Sequence, residues 1–149
     1  MTTRWLTPKE QRAWRAYIAA TFLVEDAIDR QLQQDAGMPH LYYSILANLS
    51  ETPERRLRMA DLADRVLLSR SGLTRLIDRL QAEGLVRREP SPDDARGTFT
   101  VLTGEGMSRL RAAAPVHLAG IRRHWLAHFD DDELREIGAL LRRVADPDE

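Results

Sequence analysis

Apolar residues recur at helical spacing through the first third of this chain. Thr7-Pro8-Lys9-Glu10 has the form of a capping box with Pro at the first helical position, and apolar residues then repeat every three or four positions as far as Leu32. The pattern predicts a first helix of roughly 28 residues that Gly37 terminates. A second helix is expected to begin near Pro39 and to end before Pro53.

Two short helices are predicted in the middle of the chain. The first covers residues 59–66, and the second follows Ser69, whose hydroxyl suits an N-cap. Gly84 lies where a left-handed residue commonly ends a helix. The apolar face of the second helix consists of Leu73, Leu76, Ile77 and Leu80. The other face carries small polar and basic side chains: Arg70, Ser71, Thr74, Arg75 and Arg79.

A β-hairpin is predicted directly after this helix. Residues 85–89 and 98–102 are β-favouring runs, and the segment 90–97 between them is polar and contains Pro and Gly. Residues 56–58 fit a short edge strand beside the hairpin. Two short helices followed by a hairpin are the order of elements in a winged helix-turn-helix.

The C-terminal third of the chain again has helical periodicity. Thr103 suits the N-cap of a helix that is expected to reach about Phe129, with a bend at Pro115. Residues 130–133 have the form of a capping box for a last helix ending near Ala145. The terminal helices offer more apolar surface than a winged helix needs for its own core, which favours self-association.

These elements predict a mainly α (α+β) fold in a single protomer spanning residues 1–149. Residues 39–102 are expected to form a winged helix-turn-helix lobe with a small β-hairpin wing. Residues 1–38 and 103–149, the N- and C-terminal helices, are expected to form an all-helical dimerisation lobe.

Charge is distributed unevenly along the chain. The net charge is −1, but the stretch from Arg65 to Arg88 carries +4 and the stretch from Asp130 to Glu149 carries −5. A basic patch with an acidic far end favours directional docking on phosphate, because the local field governs the approach. The excess of Arg over Lys, 21 of the 22 basic residues, can also reflect genome composition.

Several classes of protein are disfavoured by the composition. The absence of cysteine excludes disulfides, thiolate metal sites and cysteine redox sensing. Met1 to Trp5 lacks a secretory h-region and no apolar run approaches membrane-spanning length, so a cytoplasmic protein is expected. Catalytic constellations and cofactor motifs are missing, since Gly104-x-Gly106 lacks the rest of a nucleotide fingerprint, and no enzyme is predicted.

One set of spacings resembles a known family. Asp94-x-Arg96 followed by Leu102-Thr103 and Gly106 is similar to the D-x-R-x5-L-T-x-x-G pattern of MarR-family transcription regulators. The chain departs from that family at Ser91-Pro92, where Asp-Pro is frequent, and at Leu67-Leu68, where helix-turn-helix turns often place Gly. The resemblance implies a homodimeric regulator, expected to be a repressor, on a pseudo-palindromic operator in double-stranded DNA.

The polar face of the second short helix is the predicted DNA-reading surface. Ser71, Thr74 and Arg75 are expected to reach base edges, whereas Ser69, Arg70 and Arg79 hold phosphates. The alternative is a solvated helix face. The resemblance further implies that a guanidinium at the wing, Arg96, enters the minor groove and is oriented by Asp94, with a surface ion pair as the alternative.

A small aromatic or phenolic effector is also implied by the resemblance. The candidate pocket residues are Trp14, Arg15, Tyr17, His40, Tyr43 and His117, with Tyr42 beside them. Arg15 would supply a counter-charge for an anion. Aromatic residues at helical spacing are equally compatible with a packed core.

Two alternatives remain open from the sequence. His124 and His128 have the i, i+4 spacing of two metal ligands, but further ligands are not evident and Trp125 and Phe129 beside them indicate packing, so no metal is predicted. A winged helix that binds an acidic protein partner is the functional alternative to DNA binding.

Overall fold

The structure of the protein is a computed structural model that describes residues 3–93 and 97–146. The helices and strands in chain order are α1 (Pro8–Ala36), α2 (His40–Ser50), β1 (Arg56–Arg58), α3 (Met59–Arg65), α4 (Arg70–Ala82), β2 (Val86–Pro90), β3 (Thr98–Leu102), α5 (Gly104–His124) and α6 (Asp131–Ala145). The predicted mainly helical fold with a small antiparallel sheet is confirmed.

Helix α1 begins and ends where its local sequence dictates. The Thr7 N–H donates to Glu10 Oε2 at 2.7 Å, and the Glu10 N–H donates to Thr7 Oγ1 at 3.3 Å, which is the predicted capping box. The hydrogen bond from the Thr7 backbone lowers the pKa of the Glu10 carboxyl, because it favours the ionised form. Gly37 follows the last turn with a φ of +60°, the left-handed conformation expected at a helix stop.

The prediction that the fifth helix reaches Phe129 is wrong. Helix α5 ends at His124, and one 3₁₀ turn over Leu126–His128 follows it. Asp130 caps α6 by accepting from the Glu133 N–H, and Phe129 before it is extended, with φ −137° and ψ 147°. The chain must leave the helix early to give Phe129 and Asp130 these non-helical conformations.

The chain divides into two units. The first consists of Met1–Ile28 and Leu118–Glu149, and the second of Asp29–His117, so that α1 and α5 each contribute to both. The lobe boundaries predicted from sequence, at residues 38 and 103, remain a prediction.

The second unit contains the three-helix core of the helix-turn-helix. Helix α4 buries Leu73, Ile77 and Leu80 completely, and α3 buries Leu62 and Ala63 against it. Helix α2 contributes three further fully buried residues, Ile45, Leu46 and Leu49. The buried face of α4 therefore fixes its rotation and turns the opposite face outward.

A three-stranded antiparallel sheet completes this unit, with the strand order β1-β3-β2. Val86 pairs with Leu102 and Pro90 pairs with Thr98 in the hairpin, while Arg58 of β1 pairs with Phe99. The edge strand predicted at 56–58 is confirmed, and it lies on the outer side of β3.

The start of α5 is locked to the end of α4. The Thr103 hydroxyl donates to the Gly84 carbonyl oxygen at 2.6 Å and accepts from the Gly106 N–H at 3.0 Å, so it caps α5 as predicted. A Cβ added at Gly106 would overlap the carbonyl oxygen of Leu85 and lie 2.7 Å from Leu102 Cδ1. Gly106 therefore permits the close approach of the two segments.

The turn between α3 and α4 holds a leucine in an unfavourable conformation. Leu67 has a φ of +56°, and its side chain is 90% exposed. A left-handed conformation costs a non-glycine residue about 1–2 kcal/mol, and this side chain gains no burial in return. The presence of Leu67 where Gly is frequent thus introduces backbone strain, and the other interactions of the fold must offset its energetic cost.

Leu67→Gly should raise the free energy of unfolding, by up to about 1 kcal/mol, because relief of the strain exceeds the entropy that Gly adds to the unfolded chain. Leu68→Gly is the matched control. Leu68 is half-buried and its φ is not positive, so the same change there should destabilise the protein. Urea denaturation measures the change in the free energy of unfolding for both variants. A loss of stability in Leu67→Gly would show that Leu67 is not strained.

The first unit leaves many large apolar side chains exposed. On α1 they include Trp14 (56% exposed), Ile18, Phe22 (69%) and Leu23, and on α6 they are Leu140, Leu141 and Val144 (76%). In the part of the chain that is described, no helix is long and apolar enough to cross a membrane.

Candidate nucleic-acid interface

Helix α4 presents a continuous polar face to solvent. Ser69, the N-cap, accepts from the Gly72 N–H at 3.1 Å, as its sequence position predicts. Every residue predicted to lie on the polar face is exposed: Arg70, Ser71, Thr74, Arg75 and Arg79. The structure therefore brings six of the eight predicted DNA-binding residues together on one surface, which we call the α4 face (Ser69, Arg70, Ser71, Thr74, Arg75 and Arg79).

The hydroxyl groups of this face are positioned by local hydrogen bonds. Thr74 Oγ1 donates to the Arg70 carbonyl oxygen at 2.8 Å, which fixes its rotamer and leaves its lone pairs outward. Ser71 Oγ lies 3.3 Å from Ser69 Oγ. Because its proton is committed to Arg70, Thr74 Oγ1 can accept a hydrogen bond from a base edge, whereas Ser71 Oγ can accept from a base or donate to a base or a phosphate.

Fewer arginines of this region carry an unpaired positive charge than the sequence suggests. Arg88 forms an ion pair with Asp78 at 2.6 Å and also donates to Gln81 Oε1 at 3.2 Å. Arg87 pairs with Glu89 at 2.7 Å. The stretch from Arg65 to Arg88 contains six arginines, and two of them, Arg87 and Arg88, are thus paired with acidic neighbours.

The remaining arginines of that stretch keep their charge available. Within residues 3–93 and 97–146, no carboxylate pairs with Arg65, Arg70, Arg75 or Arg79. Three of these four belong to the α4 face. An anion approaching the second unit therefore meets unneutralised guanidinium groups on the same surface as the small hydroxyl side chains.

Arg88 has a role that sequence reasoning missed. Its guanidinium, on β2, contacts Thr74, Asp78 and Gln81 of α4, within 3.4 Å of each. This side chain holds the hairpin against α4. The cross-element contact spans up to 14 residues of sequence, so no local pattern indicates it.

The hairpin ends in a tip that lies partly outside the described residues. Below the tip, the Ser91 N–H donates to the Gly97 carbonyl oxygen at 2.8 Å. Asp94 and Arg96, the predicted wing residues, are outside the described part of the chain, and their roles remain predictions.

A second basic cluster on the sheet was also not anticipated. Arg56 and Arg58 lie over the ring of Phe99, at 4.5 and 4.9 Å from its centroid, in cation–π geometry. Arg56 is additionally paired with Glu54 at 2.6 Å. These contacts explain why the edge strand is held to β3 although both of its end residues are arginines.

The candidate effector residues are divided between the two units. In the second unit the Tyr43 ring stacks on the His117 ring at 4.0 Å between centroids, and His40 contacts His117. In the first unit the Trp14 and Tyr17 rings lie 5.9 Å apart, and Arg15 is exposed.

Tyr43 stays a neutral hydrogen-bonding group near neutral pH. Burial, and to a smaller extent the negative charge of Glu51, raises the pKa of its phenol above the usual value.

The first unit contains an open apolar cavity of about 360 Å³. It is lined on one side by α1 and on the other by the end of α5 and the 3₁₀ turn: Ala20, Leu23, Val24, Ala27, His124, Trp125, His128 and Phe129. Trp125 and Phe129 pack edge-to-face at 4.9 Å, in line with the packing predicted for this segment. Among the described residues, no group of three or more His, Cys, Asp or Glu side chains could hold a metal ion.

Comparison with known proteins identifies a consistent set of relatives. A family model described as "MarR family" matches residues 36–97. The structure of Sco3205, a MarR family transcriptional regulator from Streptomyces coelicolor in complex with DNA, is 46% identical with a TM-score of 0.92, over 99% of this chain and 92% of that one. AbsC, a MarR family transcriptional regulator from the same organism, is 40% identical with a TM-score of 0.89, over 96% of both chains.

A third relative was solved with a small molecule. The PcaV transcriptional regulator of Streptomyces coelicolor, in complex with its natural ligand, is 27% identical with a TM-score of 0.71, over all of both chains. These three solved structures each cover at least 96% of the present chain.

Proposed function

The chain belongs to the MarR family of transcriptional regulators, which are not enzymes, and from that membership we propose that it represses transcription as a homodimer on a pseudo-palindromic operator. The α4 face is the observation that carries this proposal. It combines small hydroxyl side chains with arginines that pair with no carboxylate among the described residues, on a helix whose opposite face buries Leu73, Ile77 and Leu80 completely. A regulator of this kind acts in the cytoplasm, where its DNA target is.

Within the α4 face we assign different tasks to different side chains. Arg75 and the hydroxyls of Ser71 and Thr74 read base edges in the major groove, since a guanidinium can donate two hydrogen bonds to guanine. Ser69, Arg70 and Arg79 hold the phosphate backbone and set the register. Footprinting on DNA upstream of the protein's own gene tests the assignment, with protection expected over two adjacent major grooves.

The wing supplies the second contact in this proposal. Arg96 enters the minor groove at A·T-rich steps, and Asp94 orients its guanidinium. Support comes from the family pattern in the sequence and from Arg88, which ties β2 to α4 so that hairpin and helix approach DNA as one body.

The proposed dimer uses the terminal helices. The exposed apolar residues of α1 and α6 exceed what a monomeric protein ordinarily leaves in water, and removing them from water would stabilise an association by about 25 cal/mol per Å² of apolar surface before entropic costs. A two-fold dimer also matches a two-fold operator, because each half-site needs one recognition helix.

Light scattering should report twice 17.0 kDa for the wild-type protein and 17.0 kDa for Val144→Glu at micromolar concentration. Val144 is 76% exposed, so the substitution leaves the fold of each chain intact while placing a charge in the proposed interface. Val144→Leu keeps the surface apolar and should remain dimeric. A wild-type monomer that still binds DNA tightly would contradict the dimer.

We further propose that a small aromatic carboxylate or phenol relieves repression. Two observations support it: the cluster of His40, Tyr43 and His117 in the second unit, and the natural ligand bound by the PcaV regulator. Aromatic rings and a polar phenol at one place suit stacking and hydrogen bonding with a phenolic ligand. Trp14, Arg15 and Tyr17 remain candidate contacts on the basis of the sequence.

A panel of aromatic carboxylates and phenols should contain at least one compound that weakens operator binding by about 5- to 150-fold, the usual range of allosteric coupling. The same compound should raise the melting temperature of the free protein, because it binds the folded state. If no compound in a broad panel changes either quantity, the aromatic cluster is structural core.

A further inference from the structure

The turn between α3 and α4 exposes one large apolar side chain to solvent. Leu67 is 90% exposed, and the other strongly exposed large apolar side chains within residues 3–93 and 97–146 all belong to the first unit. The proposed dimer surface is built from α1 and α6, so it does not include Leu67. The exposure of this leucine therefore needs a different explanation from that of the terminal helices.

Backbone hydrogen bonds fix the conformation of Leu67. The Leu68 N–H donates to the Ala63 carbonyl oxygen at 3.0 Å, and the Leu67 N–H donates to the Asp64 carbonyl oxygen at 3.3 Å. This pair of bonds forms a Schellman motif, which ends many helices. Leu67 occupies the left-handed position of the motif, where Gly is the usual residue, with a φ of +56°. The end of α3 thus determines the direction in which the leucine side chain leaves the turn.

Leu67 combines an exposed apolar side chain with a strained backbone. A single exposed leucine is ordinary on a protein surface. A leucine in the left-handed conformation is not, because its Cβ is crowded by the backbone, and Gly at this position would remove both the crowding and the exposed apolar surface. Strained residues are concentrated at functional sites. The combination therefore points to a contact that Leu67 makes outside its own chain.

The turn lies at the end of α4 that enters DNA in the proposed function. The recognition helix of a helix-turn-helix contacts base edges with its N-terminal residues. Leu67 precedes Ser69, the N-cap of α4, by two residues, which span at most about 7 Å. The nearest arginines on either side in sequence are Arg65 and Arg70, and no carboxylate among the described residues pairs with them. The leucine is therefore flanked by cations that attract the DNA backbone to this turn.

The chemistry of leucine selects the group that it can contact on DNA. Its side chain has no hydrogen-bonding atom, so it cannot hold a phosphate or read a polar base edge. The apolar group in the major groove is the C5-methyl group of thymine. We propose that Leu67 contacts a thymine methyl group in each half-site and selects thymine at that position. The inference rests on the proposed DNA-binding function and adds a specificity-determining residue outside the α4 face.

Replacement of thymine by deoxyuridine tests the contact, because it removes only the methyl group. The probes are the footprinted operator duplex and a series of duplexes in which one symmetry-related pair of thymines at a time is replaced. For one such pair, the wild-type protein should bind about 4-fold more weakly for each half-site, and about 10- to 20-fold more weakly for the pair, as expected for one buried methyl group per half-site. Fluorescence anisotropy measures both affinities.

Two variants of Leu67 assign the methyl contact to this residue. Leu67→Asn keeps a side chain of similar size that tolerates the left-handed conformation but is polar. It should bind the thymine and deoxyuridine duplexes with equal affinity at the sensitive pair. Leu67→Met keeps an apolar side chain and should retain the preference for thymine. A change in the position of α4 would instead alter the affinity for both duplexes by the same factor, so the ratio of affinities isolates the methyl contact.

The possible failures of this inference and of the proposed function are distinguishable. Specific operator binding by the wild-type protein that tolerates deoxyuridine at every thymine would overturn the Leu67 contact and leave the proposed function intact. The same preference for thymine in wild type and Leu67→Asn would overturn it too, because the methyl group would then contact another residue. Binding of DNA without sequence preference would overturn both. Circular dichroism checks that the variants keep the wild-type fold, which is expected because Leu67 is exposed.

Discussion

Gly106→Ala is expected to destabilise the protein by about 3 kcal/mol, the upper end of the range for overpacking, or more. The added methyl group would overlap the backbone carbonyl of Leu85, and a backbone carbonyl cannot rotate out of the way as a long side chain could. For a chain of this size, about 2–4 °C per kcal/mol corresponds to a fall in melting temperature of about 6–12 °C. Thermal denaturation followed by circular dichroism measures it.

Gly104→Ala is the matched control for this effect. Gly104 begins the same helix two residues earlier, and a Cβ there would have no heavy atom within 4 Å. Alanine has the better helix propensity, so this variant should melt at the same temperature as the wild type or slightly above it. Similar melting temperatures for Gly106→Ala and Gly104→Ala would show that the junction between Leu85 and α5 is not tightly packed.

Arg75→Ala is expected to remove much of the protein's ability to distinguish its operator from other DNA. A bidentate contact to a base contributes about 1–3 kcal/mol of discrimination, which is about 5- to 150-fold for each half-site. Arg75 is exposed on the α4 face, so its removal leaves the buried side of the helix intact. Fluorescence anisotropy on operator and scrambled duplexes gives the ratio of the two affinities.

Substitutions in the wing should affect DNA binding differently from Arg75→Ala. Arg96→Ala removes a cation from the minor groove, so binding to both duplexes should weaken together and the dependence on salt should decrease. Asp94→Ala should produce part of the same effect. Arg111→Ala, which removes an exposed arginine of α5, is the charge control. It should change neither the ratio of the affinities for operator and scrambled duplexes nor the salt dependence of binding. If Arg96→Ala leaves affinity and salt dependence unchanged, the wing does not contact DNA.

The local features of the α4 face could be predicted from sequence because each depends on a few adjacent residues. The spacing of Leu73, Ile77 and Leu80 determines which side of α4 is buried. Ser69 and Gly84 mark the helix ends through hydrogen bonding and a left-handed conformation. The helical spacing of the apolar residues and the residues that mark the two helix ends were sufficient to place six predicted DNA contacts on one surface.

The features that sequence reasoning missed depend on distant contacts. The sequence indicates only that Arg88 is positively charged, whereas the fold places it in an ion pair with Asp78 of α4. The proximity of His40 and His117 arises only when α2 and α5 are packed together. The early end of α5 follows from the start of α6, which takes Asp130 as its cap. In each case the outcome depends on residues outside the local sequence pattern, so that pattern alone could not predict it.

These contacts also give a physical reason for the family pattern around Thr103 and Gly106. Thr103 bonds to both Gly84 and Gly106, and Gly106 leaves room for the Leu85 backbone. The end of α4 therefore lies against the start of α5.

Selection of bound duplexes from a random pool, at about 0.15 M salt, tests the central proposal most directly. We expect enrichment of one pseudo-palindrome, with half-site centres about 10–10.5 base pairs or a multiple apart and affinity at least about 10³-fold above that for unselected DNA. Arg75→Ala should lose preference at one base pair in each half-site of that sequence. A pool that remains random, with binding only at low salt, would contradict sequence-specific recognition by α4 and favour an acidic protein partner for its basic face.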